Sequence, residues 1–189
     1  MTKADKEWLA MIERVNAFKD KVGCSVDPGI RTTVAALNLL GFPTEMSCQG
    51  HLDHDYPVPW VCLALDYKET KYGAVVNYKK LKKLVGLLDW YCADLYTSLY
   101  DAPLFIDRTG FLSTTGFVRQ YARPAKIKKD YLDSARDRFQ GFARCIGEQY
   151  LSVSFELLTK TNATQEEIDA CDKAYVQGIK RKRGGIKND

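Results

Sequence analysis

Apolar residues recur every three or four positions near the start of the chain. They are Trp8, Ile12, Val15, Phe18 and Val22. Residues at this spacing share one face of a helix. The pattern therefore predicts an amphipathic first helix from about Asp5 to Val22, with its apolar face buried.

A second helix is predicted to begin at Asp27-Pro28-Gly29. An Asp side chain accepts hydrogen bonds from the free N–H groups of a first helical turn, and Pro lacks an N–H that this turn would leave unpaired. The apolar face of the helix is Ile30, Val34, Leu37 and Leu40. Gly41 is well placed to end it.

From Pro43 the pattern changes to two extended runs, Thr44–Cys48 and Pro59–Leu65. Such runs, bounded by polar or turn-forming residues, predict strands. The loop between them, Gln49–Val58, is longer than a hairpin requires and rich in polar side chains. Those two properties favour a functional role for the loop.

The rest of the chain repeats this alternation of helix and hairpin. The predicted elements are a helix from about Tyr78 to Tyr100, a hairpin of Leu104–Asp107 with Phe111–Val118, a helix from about Lys128 to Leu158 that Gly141 and Gly147 would bend or interrupt, and a last helix from Thr164 to near Gly178. The order predicts an α+β fold, in which a small, mostly antiparallel sheet of two hairpins packs against several helices.

Length and composition fit one domain, which we place at residues 1–178. The chain has 189 residues, 46% of them hydrophobic and 28% charged, which is typical of a folded globular protein. The net charge is +4, and the last eleven residues alone account for it through Lys180, Arg181, Lys182, Arg183, Lys187 and Asp189. We therefore expect residues 179–189 to form a disordered basic tail, with RNA as its candidate partner.

The N-terminal residues lead directly into the first helical pattern, without an apolar signal-peptide stretch. No run of about 18 apolar residues is present that would span a bilayer. The six cysteines include no C-x-x-C pair, and single cysteines among apolar neighbours are typical of buried thiols. These features predict a cytoplasmic protein without a membrane partner.

Both histidines lie in one short segment, Ser47–Asp55, which also contains Cys48, Asp53 and Asp55. Histidine changes its charge near neutral pH, a cysteine thiolate is a nucleophile, and both side chains bind transition metals. The segment is therefore the predicted functional site.

The same segment carries a family resemblance. Asp27-Pro28-Gly29-Ile30-Arg31, Gly41-Phe42-Pro43-Thr44, Ser47-Cys48-Gln49-Gly50-His51 and Pro59-Trp60-Val61 resemble a group of small bacterial and phage proteins built around S-C-E-G-H followed by P-W-V. Gln49 replaces the acidic residue of that group. The resemblance implies membership of the group and no particular activity.

A more distant resemblance is to the wybutosine tRNA methyltransferase family. It consists of a helix with Asn, an extended Thr and then S-C-x-G, here Ser47-Cys48-Gln49-Gly50. That family has Arg at the position of His51. This resemblance, with the basic tail, implies an RNA-binding or RNA-modifying module as one alternative function.

A metal site is a second alternative. Cys48, His51 and His54 have the spacing C-x2-H-x2-H, and Asp53 or Asp55 would add an oxygen ligand or a general base. Zinc accepts such a mixed set of nitrogen, sulfur and oxygen ligands. The function would then be that of a metal-dependent, zinc-type enzyme.

Nucleophilic catalysis is a third alternative, with Cys48 as the thiolate, His51 as the base and Asp53 as a further catalytic residue. Gly50 would let backbone N–H groups approach a substrate oxyanion. A purely structural interpretation also stays open, in which Cys48 ends a buried strand, His51 caps the turn and Trp60 belongs to the core.

The preferred hypothesis is a pocket for a small anionic ligand, such as a nucleotide or another phosphate compound, with or without turnover. Donors and stacking surfaces for it would come from Arg31, Ser47, Gln49, Gly50, His51, Trp60, Arg108 and Arg119. Arginines hydrogen-bond phosphate oxygens, and an aromatic ring can stack on a base. This hypothesis accounts for the arginines as well as the loop.

Overall fold

A computed structural model describes residues 1–20, 23–52, 57–64, 67–70, 73–76, 82–88, 105–106, 111–113 and 127–184. The helices in these ranges are α1 (Lys3–Ala17), α2 (Pro28–Leu39), α3 (82–88), α4 (Lys129–Leu151), α5 (Phe155–Thr161) and α6 (Gln165–Gly184). The strands are β1 (Thr44–Cys48), β2 (Trp60–Leu63), β3 (Tyr67–Thr70), β4 (Gly73–Val76), β5 (Phe105–Ile106) and β6 (Phe111–Ser113). The predicted α+β class is confirmed.

Four of the strands form one antiparallel sheet in the order β1-β2-β6-β5. Cys48 pairs with Trp60, which in turn pairs with Ser113 on β6. The two predicted hairpins, β1-β2 and β5-β6, are therefore joined through β2 and β6. Strands β3 and β4 form a separate antiparallel hairpin, which the sequence analysis did not predict.

The helices pack around α2, which lies between α1 and α4 and also contacts β1. Their shared core contains Trp8 of α1, Leu37 of α2, Phe139 of α4 and Val61 of β2. Trp8 is fully buried, and its indole Nε1 donates a hydrogen bond to Thr161 Oγ1 at 2.9 Å. This bond joins α1 to the end of α5 across the core.

Helix α1 ends at Ala17, before the predicted Val22, so the predicted boundary is wrong. Trp8, Ile12 and Val15 are buried as expected, whereas Phe18 lies beyond the helix and is 53% exposed. The start is fixed by Thr2, whose hydroxyl accepts from the Asp5 N–H while the Asp5 carboxylate accepts from the Thr2 N–H. Asp5 also accepts from the Ser154 N–H at 2.9 Å, which ties this helix end to the α4–α5 connection.

The predicted helix from Lys128 to Leu158 is two helices rather than one. Helix α4 continues through both glycines and ends at Leu151, and its C-cap residue Ser152 has a left-handed φ of 56°. Helix α5 then turns back so that Leu158 packs on Gly147, where an added Cβ would lie 2.5 Å from Leu158 Cδ2. Gly147 therefore permits the close approach of the two helices.

Helix α6 extends to Gly184, so the predicted end near Gly178 is wrong. Residues 179–184 of the basic segment belong to this helix, and 185–189 lie outside the described residues. Of the predicted helix from Tyr78 to Tyr100, only residues 82–88 are described, and Leu84, Leu87 and Leu88 there are buried. Among the described helices, none has the length and apolar character needed to cross a membrane.

Candidate functional site

His51 lies in the turn after β1, with only 4% of its surface exposed. Its Nδ1 is 2.8 Å from Asp172 Oδ1, and its Nε2 is 3.6 Å from Asp27 Oδ2. The ring stacks on Tyr175, with the centroids 4.1 Å apart and the planes 7° from parallel. The imidazole is therefore held between two carboxylates and against one aromatic face.

Asp27 reaches the site from the residue that precedes α2. The sequence predicts that the Asp27 side chain caps this helix, but the side chain makes no capping hydrogen bond. Its Oδ2 instead accepts from the backbone N–H of Gln49 at 3.0 Å, and its Oδ1 accepts from the Cys171 thiol at 3.5 Å. These tertiary partners direct the carboxylate toward His51 and away from the helix end.

Helix α6 supplies three further residues of the site that the sequence analysis missed: Cys171, Asp172 and Tyr175. Asp172 and Tyr175 are three positions apart, so they lie on the same helical face and meet the same imidazole. Asp172 is 121 positions from His51 in the chain. No local motif surrounds these residues, so the sequence offered no signal that would have found them.

Arg136 on α4 lies beneath the turn, with 1% of its surface exposed. Its Nε donates to the Gln49 carbonyl at 3.0 Å and its Nη2 to the Gly50 carbonyl at 2.6 Å. Nη2 also contacts both carboxylate oxygens of Asp172, at 2.8 and 3.0 Å. One buried guanidinium thus fixes the backbone that carries His51 and the carboxylate that contacts it.

Gln49 is fully buried and its side-chain amide is already engaged within the protein. Its Oε1 accepts from the Gly29 N–H at 2.9 Å, and its Nε2 donates to Asp172 Oδ1 at 3.0 Å. The predicted ligand-binding residue Gln49 is therefore placed as a support that connects α2 to α6.

Gly50 is required by the shape of the turn. Its φ of 77° is left-handed, and an added Cβ would lie 2.3 Å from the Pro57 carbonyl oxygen and 2.9 Å from Leu132 Cδ1. A left-handed conformation suits glycine far better than residues with a Cβ. The predicted role of Gly50 is therefore structural in part, since it lets the turn pack against the loop end and α4.

The carboxylates determine the charge of His51. Burial alone would lower its pKa, but the Asp172 hydrogen bond, the nearby Asp27 carboxylate and Cys48 outweigh burial and raise the pKa to about 11. Burial likewise opposes ionisation of Asp172 and Asp27, yet contact with His51 leaves the pKa of each below its usual value. At neutral pH the protein alone therefore holds an imidazolium between two carboxylates.

Cys48, at the end of β1, lies in the same cluster and is 8% exposed. Its Sγ accepts a hydrogen bond from the Gly50 N–H at 3.3 Å. The potential metal-ligating atoms of Asp27, Cys48 and His51 all lie within 4.8 Å of one another. The predicted pair Cys48 and His51 is thus brought together, with Asp27 as the third member.

The predicted third ligand His54 lies outside the described residues, as do Asp53 and Asp55. The loop positions that would complete the predicted C-x2-H-x2-H set therefore have no structural account. The Cys171 thiol also contacts Asp27. Burial together with the nearby Asp27 charge raises the pKa of this thiol to about 12.

Within the described part of the chain, the residues predicted to bind an anionic ligand do not form one group. Arg31 contacts Asn16 Oδ1 at 3.4 Å and Glu167 Oε2 at 3.6 Å, whereas Arg108 and Arg119 lie outside the described residues. Trp60 stacks on Phe111 with a centroid distance of 5.3 Å, and with Ser47 it lines a cleft of about 620 Å³ beside β1. The described residues therefore bring together Cys48 and His51, which were predicted to bind a metal, more clearly than the residues predicted to bind an anion.

Comparisons with known proteins provide no relative for this chain. No protein-family model matches it, and neither a curated protein nor a solved structure shows significant similarity.

Proposed function

We propose that Asp27, Cys48 and His51 bind a zinc-type divalent cation and that the protein is a metal-dependent enzyme. The observation that carries this proposal is the convergence of one oxygen, one sulfur and one nitrogen atom within 4.8 Å. In a tetrahedral zinc site, bond lengths of about 2.0–2.3 Å put neighbouring ligand atoms about 3.3–3.8 Å apart. A shift of about 1 Å in side-chain position would close the cluster around a cation.

The environment of His51 supports this proposal. Metal-binding histidines commonly donate one ring N–H to a carboxylate, which orients the ring and directs the other nitrogen at the metal. Here Nδ1 faces Asp172 at 2.8 Å, while Nε2 faces Asp27. Arg136 and Gln49 hold Asp172 in turn, so its carboxylate cannot turn away without breaking both contacts.

The charge of the cluster also supports cation binding. Two carboxylates and a thiol surround one imidazole, and these groups raise the pKa of His51 because each of them favours a positive charge at the ring. A divalent cation would replace the imidazolium proton as the positive charge between them. Zinc readily accepts this combination of donor types.

Three protein ligands are the number found in catalytic zinc sites, which leave a fourth position for water or substrate, whereas structural sites use four. The described residues supply three such ligands, a number that favours an enzyme, and metal-assisted hydrolysis is the reaction class that such sites commonly perform. The hypothesis that Arg31 and Gln49 bind an anionic ligand has less support, because both side chains already contact other residues of the protein.

A thiol nucleophile is the second candidate for the same residues. Its support is the Gly50 N–H that points at Cys48 Sγ and the imidazole held by Asp172, an arrangement of thiol, imidazole and orienting carboxylate. The two functions differ in what they require, because a thiol nucleophile needs no cation. Alkylation of Cys48 by iodoacetamide that is slowed by His51→Gln in metal-free protein would favour this candidate.

The test of the metal proposal is a Co²⁺ titration of metal-free protein without a histidine tag. We expect one equivalent to bind, with the near-ultraviolet absorption of a thiolate ligand. Cys48→Ser should remove this absorption, and Asp27→Asn or His51→Gln should weaken binding by at least about 100-fold, the upper end of what indirect changes around a metal cause. Cys24→Ser is the matched control, because Cys24 is an exposed free thiol. Equal binding by wild type and all three ligand variants would disprove the proposal.

A further inference from the structure

The C-terminal half of α6 leaves the core. Within residues 165–178, Ile168 is the last buried residue, with 3% of its surface exposed, and every residue from 169 to 178 is half-buried or exposed. The helix nevertheless continues to Gly184. Its last turns therefore extend beyond the part that packs against α2 and supports the candidate site.

Charge is distributed unevenly along this helix. Four acidic residues and no basic residue lie between positions 165 and 172. Four consecutive basic residues, Lys180, Arg181, Lys182 and Arg183, form the basic turn that precedes Gly184. Successive helix positions are about 100° apart, so four consecutive positions surround the axis. Part of the basic turn therefore lies on the outer side of α6, whichever side of the helix faces the rest of the protein.

The helix alone does not need this much positive charge. A helix C-terminus carries a partial charge of about −0.5, which one cation can offset, whereas the basic turn supplies four. Four adjacent cations also repel one another. The chain carries a net charge of +4, and its last eleven residues account for all of it. The basic turn is thus a local excess of positive charge that an anionic partner would stabilise.

The residue types distinguish between anionic partners. A helix that binds a membrane surface needs a broad apolar face, and residues 179–184 include a single large apolar residue, Ile179. Arginine presents paired N–H donors that match phosphate oxygens, and lysine adds a point charge. Lys and Arg clustered along a helix are typical of contacts with the phosphate backbone of a nucleic acid.

We propose that the basic turn of α6 binds the phosphate backbone of a nucleic acid. Backbone contacts carry no sequence information, so the binding is independent of base sequence. Position 180 is eight residues after Asp172, which is about 12 Å along the helix axis. None of the three proposed metal ligands belongs to the basic turn, so the inference does not depend on metal binding.

The test is fluorescence anisotropy of labelled fifteen-nucleotide single strands of RNA and DNA with metal-free protein. The test variant changes all four residues of the basic turn to Gln, which has a helix propensity close to that of Lys and Arg. The matched control removes four positive charges at exposed lysines elsewhere, through Lys6→Gln, Lys19→Gln, Lys128→Gln and Lys160→Gln. Circular dichroism would confirm that both variants keep the helix content of the wild type.

We expect the wild type and the control variant to bind equally, and the test variant to lose at least tenfold in affinity. The logarithm of the wild-type binding constant should fall with the logarithm of salt concentration with a slope of about −2 to −3, because each single-strand phosphate contact contributes about −0.7. The proposal is overturned if the wild type binds neither strand, or if the test variant binds as tightly as the wild type. Equal losses in the two variants, or tighter binding of the wild type to phosphatidylserine vesicles than to either strand, would also overturn it.

Discussion

Arg136 Nη2 lies 2.8 Å from Asp172 Oδ1, a contact that joins α4 to α6 directly beneath the turn that carries His51. The same guanidinium binds the carbonyls of Gln49 and Gly50. A single buried side chain therefore connects three separate parts of the chain at the candidate site.

Arg136→Met should destabilise the protein strongly. The change leaves two buried carbonyls and the Asp172 carboxylate without their shared donor, and breaking one side of a buried ion pair typically costs about 3–5 kcal/mol. Urea unfolding of metal-free protein would measure this loss. Arg144→Met on the same helix is the control, because Arg144 is only partly buried, and it should change the free energy of unfolding by less than about 1 kcal/mol. Similar losses in the two variants would show that the Arg136 contacts have no special role.

Gly50→Ala should lower the free energy of unfolding by about 3 kcal/mol, since it combines left-handed strain with overpacking against the Pro57 carbonyl. Gly178→Ala is the opposite case. An added Cβ at this position of α6 meets no atom within 4 Å, so it should stabilise the helix by about 0.5–1 kcal/mol. Thermal and urea unfolding of the two variants would check the pair. A neutral Gly50→Ala would contradict the proposed constraint on the turn.

The contribution of His51 to stability should fall as the pH rises. The folded-state pKa of His51 is raised to about 11 from an unfolded value of 6.5, so between these values the folded state binds more protons than the unfolded state. Its contribution is fully present below pH 6.5 and is lost as the pH approaches 11, by up to about 1.4 kcal/mol per pH unit. The measurement is the difference in unfolding free energy between wild type and His51→Gln, in metal-free protein from pH 6 to pH 10. A difference that stays constant over this range would rule out a protonated His51 in the folded state.

Asp172→Asn should weaken metal binding by about 10–100-fold while the three ligand atoms stay in place. The amide can no longer accept the Nδ1–H bond with a full negative charge, so the ring loses its fixed orientation. Competition with a chromophoric zinc chelator would measure the affinity, and the Co²⁺ spectrum would report whether the thiolate remains bound. Glu166→Gln, an exposed change on the same helix, should leave both unchanged. If Asp172→Asn bound the metal as tightly as the wild type, Asp172 would have no role in orienting His51 for metal binding.

Local patterns predicted the elements near the site well. Thr44–Cys48 is the strand that was expected, and α2 begins at Pro28 and ends just before Gly41, because turn and cap residues mark these positions in the sequence itself. The break after α4 was missed because a tertiary contact, that of the Asp5 carboxylate with the Ser154 N–H, holds the connection between α4 and α5.

Only the residues of the candidate site that lie close together in the sequence were predictable. Cys48 and His51 stand out because they are close in the chain. Asp172, Arg136 and Tyr175 come from helices whose periodicity shows which face is buried but not which other element that face meets. The role of Asp27 was misjudged for a related reason, since helix propensity favours a cap while the fold offers the carboxylate better partners.

The distance in sequence between His51 and Asp172 also has a consequence for the order of events during synthesis. His51 leaves the ribosome 121 residues before its partner, so a nascent chain holds an ordinary histidine with the usual pKa near 6.5. Arg136 likewise emerges before Asp172, one of its two carboxylate partners. Only when α6 has been made and docked does the Asp172 hydrogen bond join the effects of Asp27 and Cys48 on the His51 pKa, so the complete cluster exists from that step onward.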